Sequence, residues 1–224
     1  MNFLAEALAY ITDPAHWHGP LGIGRLLTQH LGYSMLGVLL ASLLGVPLGW
    51  WVGHSRRGRS FVVATSGAVR ALPTLGLVTL FGLLLGIGLA APLLAFVVLA
   101  VPSVLAGAYT GVEAADPVAV DGARACGMSE WQVLTHVEVP LGAPLLVGGL
   151  RSASLQVIAT ATLAAYTGAG GLGRLMFLGL NTQNYAMVLA SSLLVIGLAL
   201  LSETCFALIQ RAVTPAGAAT RKES

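Results

Sequence analysis

The sequence predicts an all-α polytopic membrane protein with about five transmembrane helices, and three observations carry that prediction. Hydrophobic residues make up 56% of the 224-residue chain and charged residues only 9%, with a mean hydropathy of +0.85; soluble domains carry about 25% charged residues. Five stretches, near residues 31–52, 61–87, 92–111, 145–166 and 187–209, are apolar over the roughly 20 residues that a helix needs to cross about 30 Å of hydrocarbon. The basic residues collect in alternate connections, which is how a multi-pass chain records its orientation.

Residues 1–30 contain Glu6, Asp13, His16, His18 and Arg25 without the compact apolar core of a cleavable leader, so an amphipathic or loosely ordered extracytoplasmic lead-in is expected. His16, His18 and His30 with Asp13 match no tight metal-ligand spacing and read as solvated. The membrane domain is expected over 31–210 and a cytoplasmic tail over 211–224. The second apolar stretch is too long for one straight span and holds Pro73, which predicts a kink. Arg70 lies inside that stretch, where a charge at the bilayer centre costs at least about 2.5 kcal/mol. Two readings of Arg70 stand open: a water-facing gate beside Pro73, or a side chain reaching back to the interface. Arg151 and Glu203 fall near span ends, as interfacial anchors or an inter-helix pair. The apolar but Gly-rich stretch between the fourth and fifth spans is expected to be irregular or partly re-entrant.

With five spans, Arg56, Arg57, Arg59, Arg124, Arg211, Arg221 and Lys222 all fall on one side, and only Arg25 and Arg174 on the other. The basic side is predicted to be cytoplasmic, with the N-terminus outside and the C-terminus inside. A net charge of +2 from scattered residues gives no footprint for nucleic acid. Cys126 and Cys205 occupy settings too different for a bridge and form no metal spacing.

The connection 112–144 is the polar exception, and residues 121–144 of it read DGARACGMSEWQVLTHVEVPLGAP. Residues 118–126 suit a helix that Gly127 can end in a left-handed conformation, and Ser129 with Gln132 forms a capping-box pattern for a second helix. Pro140 and Pro144 then belong near the first turn of the fourth span, where a missing N–H is tolerated.

This stretch resembles the hallmark of the inner-membrane permeases of binding-protein-dependent ATP-binding-cassette importers: EAA, three residues, Gly, nine residues, then I-x-L-P. Asp121, Gly122 and Ala123 stand for EAA, Gly127 falls at the Gly, and Val137, Val139 and Pro140 fall at I, L and P. The literal EAA at 113–115 fails, because it would place Ala119 at the Gly. The resemblance implies the type I, MetI-like permease fold and makes 112–144 the coupling segment that seats in an ATPase. Asp121, Arg124 and Glu130 are then its docking charges, and Ala123, Met128 and Trp131 its apolar anchors. It also implies two cytoplasmic ATPase subunits carrying ATP and Mg, an extracytoplasmic substrate-binding protein, and a second permease, either another copy or a similar chain, embedded with it in membrane lipid. The chain itself has no Walker A sequence, so it is not expected to be an enzyme or to hold a cofactor.

GAGGLG at Gly168, Ala169, Gly170, Gly171, Leu172 and Gly173 satisfies the dinucleotide spacing but follows a membrane span, not a strand. The run TATLAAYTGAGGLGRLMFLGL around it instead resembles the osmoprotectant subgroup of these permeases, as do RALPTLGL at 70–77, LLLGIGLAAPLLAFVVLAVPSVLAGAYTGV at 83–112 and GGLRSASLQVIATATLAAYTGAGGLG at 148–173. The implied cargo is glycine betaine, choline, carnitine or proline betaine, with methionine or another amino acid as the alternative. Trp50 and Trp51 near one membrane face and Trp131 in the connection make no evident aromatic cage for a quaternary ammonium. Selectivity is therefore expected on the binding protein, with a path lined near Tyr109 and Tyr166. An intramembrane enzyme would need HExxH, G-x-S-x-G or an acid pair on adjacent spans, none of which occurs. An ion-coupled carrier would need midplane acids and two equal halves, which five spans cannot form.

Overall fold

Residues 2–214 are described by a computed structural model, apart from the side chains of Phe61 and Arg70. All regular elements among them are helical. The expectation for Arg221 and Lys222 lies outside the described residues, as does the placement of the Arg70 side chain.

The N-terminal residues are more ordered than the sequence suggests. Helix α1 (Phe3–Thr12) starts at an Asn2 cap, and a 3-10 turn (Pro14–Trp17) follows, capped by Asp13. Helix α2 (Ile23–Ser55) then begins before residue 31, so the expected domain boundary falls inside a helix. The reason is that Ile23 and Leu26 share a buried face against Leu172 and Leu175. At 33 residues α2 is about 50 Å long and outreaches the hydrocarbon layer. His30 is fully buried within it, which corrects the solvated placement expected for that histidine.

The second apolar stretch breaks into α3 (Arg59–Arg70) and α4 (Thr74–Leu85), bent by 86°. Pro73 sits at the N-cap of α4 and disfavours helical geometry at the residue before it, so the predicted kink is a corner. Helix α5 (Ala90–Glu113) is continuous. Two short helices, α6 (Pro117–Ala125) and α7 (Glu130–Val133), lead through a π turn (Leu134–Glu138) into α8 (Val139–Thr160). Here the structure departs from a span starting near 145. The Val139 N–H donates five residues back to Leu134, and this wider turn lets the helix run through Pro140 without the clash of an α-helical register. A 3-10 helix (Ala161–Thr167), α9 (Gly173–Asn181) and α10 (Tyr185–Val213) complete the chain.

Small residues set the packing. Gly37, Ala41, Gly45, Gly49 and Gly53 recur every fourth position on α2 and face α5; a Cβ on Gly49 would stand 2.5 Å from that of Ala108. On the other side of α5, Gly107 and Gly111 meet Gly149 and Gly142 of α8 backbone to backbone. Phe96, Val104, Val157 and several alanines fill the centre of this three-helix core. Lipid offers no hydrophobic drive between helices, so such close backbone approach supplies the contact.

Arg59, starting α3, pairs with Glu113, ending α5, while Gly82 of α4 approaches Thr167 beyond α8. Among the described residues four helices are long and apolar enough to cross a membrane, or five with the bent pair counted as one broken span; α1 packs beside Tyr185 at one end and Gln210 bonds to Pro144 at the other. The end bearing Arg56, Arg57, Arg59 and the 112–144 connection is called the basic end below.

Candidate coupling and translocation sites

The connection at the basic end folds as its residues predict. Asp116 caps α6 by accepting from the Val118 N–H at 2.9 Å. At the far end Gly127 takes φ 86°, the Met128 N–H donates to Ala123 O and the Gly127 N–H to Arg124 O, which is a Schellman closure. Ser129 and Gln132 form both halves of a capping box at the start of α7. Ala115, Val120 and Val133 are buried together, with Ala123 and Val137 against them. Ala123 is half-buried against this cluster. Met128 and Trp131, 39% and 69% exposed, remain as outward apolar side chains.

The expected docking charges contact each other. Arg124 donates from Nε and Nη2 to the two Glu130 oxygens at 3.0 and 2.9 Å, and its Nη1 lies 3.5 Å from Asp121. The Arg124 hydrogen bonds hold the exposed Glu130 carboxyl below the usual carboxylate range. Gly122 has open space around it, and Pro140 is exposed on the first turn of α8.

Sequence reasoning missed His54. Its Nδ1 stands 2.6 Å from Glu138 Oε2 and its Nε2 3.2 Å from Glu130 Oε2, joining α2 to the connection. Beside it an open cavity of about 460 Å³ is lined by Trp50, Trp51 and Trp131. The structure thus gathers indoles that the sequence separates by 80 positions. No local spacing could have signalled either grouping, because both depend on how α2 meets the connection.

The Gly-rich loop at the opposite end is held by side chains of α2. The Gly171 N–H donates to Gln29 Oε1 at 3.2 Å and the Tyr33 hydroxyl to Ala169 O at 2.8 Å. Gly168, Gly170 and Gly171 all have positive φ, and a Cβ on Gly173 would overlap the Thr162 carbonyl. Gly88 and Thr167 tie the loop to the turn before α5. No strand precedes these glycines, so the dinucleotide spacing is incidental.

Tyr109 and Tyr166 are not brought together. Tyr109 is 8% exposed, packed with Val52 and Val62 towards the basic end. Tyr166 is exposed near Phe177 and the turn at Gly86 and Ile87. Arg151 and Glu203 form the inter-helix pair, with Nε to Oε2 at 2.7 Å and Gln210 as a further neighbour at 3.5 Å.

Residues 45–216 match the family described as binding-protein-dependent transport system inner membrane component. The chain is 31% identical to the glycine betaine/carnitine/choline transport system permease protein OpuCB of Bacillus subtilis, over 87% of this chain and 90% of that one. It is 30% identical to the osmoprotectant import permease protein OsmW of Salmonella typhimurium, over 95% of this chain and 99% of that one. Its fold is that of the permease in inward-facing structures of the MetNI methionine ABC transporter, with a TM-score of 0.74 at 21% identity over 85% of this chain and 95% of that one. A crystal structure of an amino acid ABC transporter with histidines matches at TM-score 0.71 and 16% identity, over 95% of this chain and 99% of that one. The four to five apolar spans, the helix-turn-helix at the basic end and these matches agree: the chain belongs to the binding-protein-dependent transport system inner membrane component family, as a multi-pass membrane permease.

Proposed function

We propose that this chain is the membrane-spanning subunit of an ATP-driven importer that carries a compatible solute, glycine betaine, choline, carnitine or proline betaine, into the cell. The observation that carries the cargo is similarity over most of the chain to permeases named for glycine betaine, carnitine, choline and osmoprotectants. Separate ATPase subunits, two per transporter, bind and hydrolyse ATP with Mg at the basic end, which faces the cytoplasm. An extracytoplasmic binding protein delivers cargo to the opposite end, where Tyr166 and the Gly-rich loop lie. A second permease closes the path, and α10, whose Leu200 and Leu201 are 62% and 71% exposed, offers apolar surface to it or to lipid.

The geometry supports coupling through 112–144. Trp131 and Met128 project outward, the Schellman turn fixes α6 against α7, and α7 continues through the π turn into α8. A displacement of the short helices by a closing ATPase is thereby a displacement of the fourth span. Pro73 gives the bent α3–α4 pair a corner at which a gate can open.

Labelled glycine betaine uptake into vesicles carrying the chain, its ATPase and its binding protein tests the assignment. ATP-dependent accumulation, competed by choline or carnitine and unaffected by collapse of the proton gradient, is expected. Competition by methionine alone would reassign the cargo, and uptake driven by a proton gradient without ATP would overturn the importer. Orientation has its own test: Cys126, exposed at the C-cap of α6, is expected to react with an impermeant thiol reagent from the cytoplasmic side only. Labelling from outside intact cells would invert the topology.

A further inference from the structure

His54 stands between two carboxylates that belong to different parts of the connection. Glu130 lies on α7, and Glu138 closes the π turn at the start of α8. Both imidazole nitrogens face a carboxylate oxygen, at 2.6 and 3.2 Å. The Nδ1 contact is a hydrogen bond and the Nε2 contact an ion-pair approach; a neutral imidazole has one N–H and no charge, whereas an imidazolium is attracted to both carboxylates at once. Glu138 strengthens the requirement, because its side chain is 8% exposed and a buried carboxylate without a cation is costly. Among the described residues His54 is its cationic partner. Behind Glu130 stand Arg124 and, through it, Asp121 of α6. The contacts run Asp121, Arg124, Glu130, His54, Glu138, and so join α6, α7, α2 and the start of α8 in one charge-assisted chain.

We propose that His54 is a positioning residue which, as an imidazolium, clamps the coupling segment to the end of α2, so that proton activity at the basic end sets how much ATPase motion reaches the first span. The proposal rests on the coupling role given to 112–144 above. Without the clamp the segment moves α8 directly but grips α2 less. Losing the ring proton removes the cation that both carboxylates face. The Arg124 hydrogen bonds favour the ionised Glu130, and histidine is the side-chain type whose ordinary charge change falls between about pH 5 and 8. Coupling is therefore strongest on the acidic side of that range and declines as pH rises.

Two measurements test this separately from the cargo. In the purified full chain, ¹⁵N spectra of histidine, assigned with His54→Gln, are expected to show protons on both His54 ring nitrogens at about pH 6, with one lost as pH rises. A single protonated nitrogen throughout would overturn the clamp whether or not the chain transports betaine. In vesicles, solute taken up per ATP hydrolysed is expected to fall about fivefold or more between about pH 6 and 8. His54→Lys, cationic throughout, is expected to flatten that profile, and Glu138→Gln to flatten and lower it. A wild-type ratio independent of pH, or His54→Lys keeping the wild-type profile, would overturn the relay. Failure of wild-type uptake with a doubly protonated His54 would instead count against the importer assignment and leave the clamp standing.

Discussion

The 112–144 connection at the basic end and the Gly-rich loop at the opposite end both interrupt the spans with left-handed glycines, but their surroundings differ. Gly127, at φ 86°, has nothing within 4 Å of where a Cβ would stand. Gly168 would meet Ile87 at 2.9 Å, Gly170 would meet Gln29 at 2.6 Å, and Gly173 would overlap Thr162. Gly127 is needed only for the turn it makes, Gly168 and Gly170 for the turn and for the space, and Gly173 for the space alone. The first region presents Met128, Trp131 and a charge network outward, while the second spends its polar groups on Gln29, Tyr33 and Ser191 within the chain. Exposure at one end and internal satisfaction at the other separate a surface shaped for a partner from a junction that holds spans together.

Substituting the glycines breaks the comparison most directly. Gly173→Val is expected to abolish the folded chain, since overlap with a backbone carbonyl cannot be relieved by a rotamer and the cost exceeds about 4 kcal/mol. The check is recovery of monodisperse protein after solubilisation; normal recovery would mean that the loop is not packed as described. Gly127→Val carries only backbone strain, about 1–3 kcal/mol. It is expected to insert normally but to lose stimulation of the ATPase. Ala119→Val, on the exposed face of α6, serves as the control and is expected to do much less. Equal damage from Gly127→Val and Ala119→Val would reduce the segment to a connector.

Arg124→Ala probes the same contrast with a smaller perturbation. The pairs it removes are exposed and screened by solvent, so the chain is expected to lose little stability. ATPase stimulation is expected to fall more than stability does, because Glu130 and Asp121 are released from the arrangement that presents Trp131. A melting midpoint and an ATPase rate on the same preparation decide it; a large melting shift with unchanged stimulation would make the network structural.

What the sequence made legible was what depends on near neighbours in the chain. The capping box at Ser129, the left-handed Gly127 and the corner at Pro73 are local, and each forms as its residues dictate. The apolar spans followed from hydropathy alone. The illegible part was long-range. Residues 23–30 look too polar for a span, yet they are helical because Leu172 and Leu175 cover Ile23 and Leu26. His54 carries no pattern of its own and acquires partners 76 and 84 positions later only through the α2 contact. The every-fourth small residues of α2 were present in the sequence, and their helix-packing meaning is clear once α5 lies against them. The burial of Tyr109 against Val52 and Val62 is likewise set by how α5 meets α2 and α3, not by its sequence neighbours.

The smallest effect concerns one hydrogen bond at the Gly-rich end. Tyr33→Phe keeps the ring that packs on the α2–α5–α8 core and removes only the hydroxyl that donates to Ala169 O at 2.8 Å. A single neutral hydrogen bond contributes about 1 kcal/mol, and leaving its carbonyl unpaired in a partly buried site adds to that cost. The variant is expected to insert and fold, with a melting midpoint lower by about 2–4 °C if soluble-protein scaling for a chain of this size carries over. Gln29→Ala removes the neighbouring tie, to the Gly171 N–H, and is expected to have a similar effect. Because the two residues hold the same loop four positions apart on α2, the double variant is expected to lose less than the sum of the single losses if releasing either tie frees the loop. Simple additivity would mean that each bond acts alone and that the glycine geometry, not the α2 side chains, fixes the loop. Stimulation of the ATPase is expected to stay near wild type in both single variants, and a drop there larger than the loss of stability would tie the two ends of the molecule together through α2.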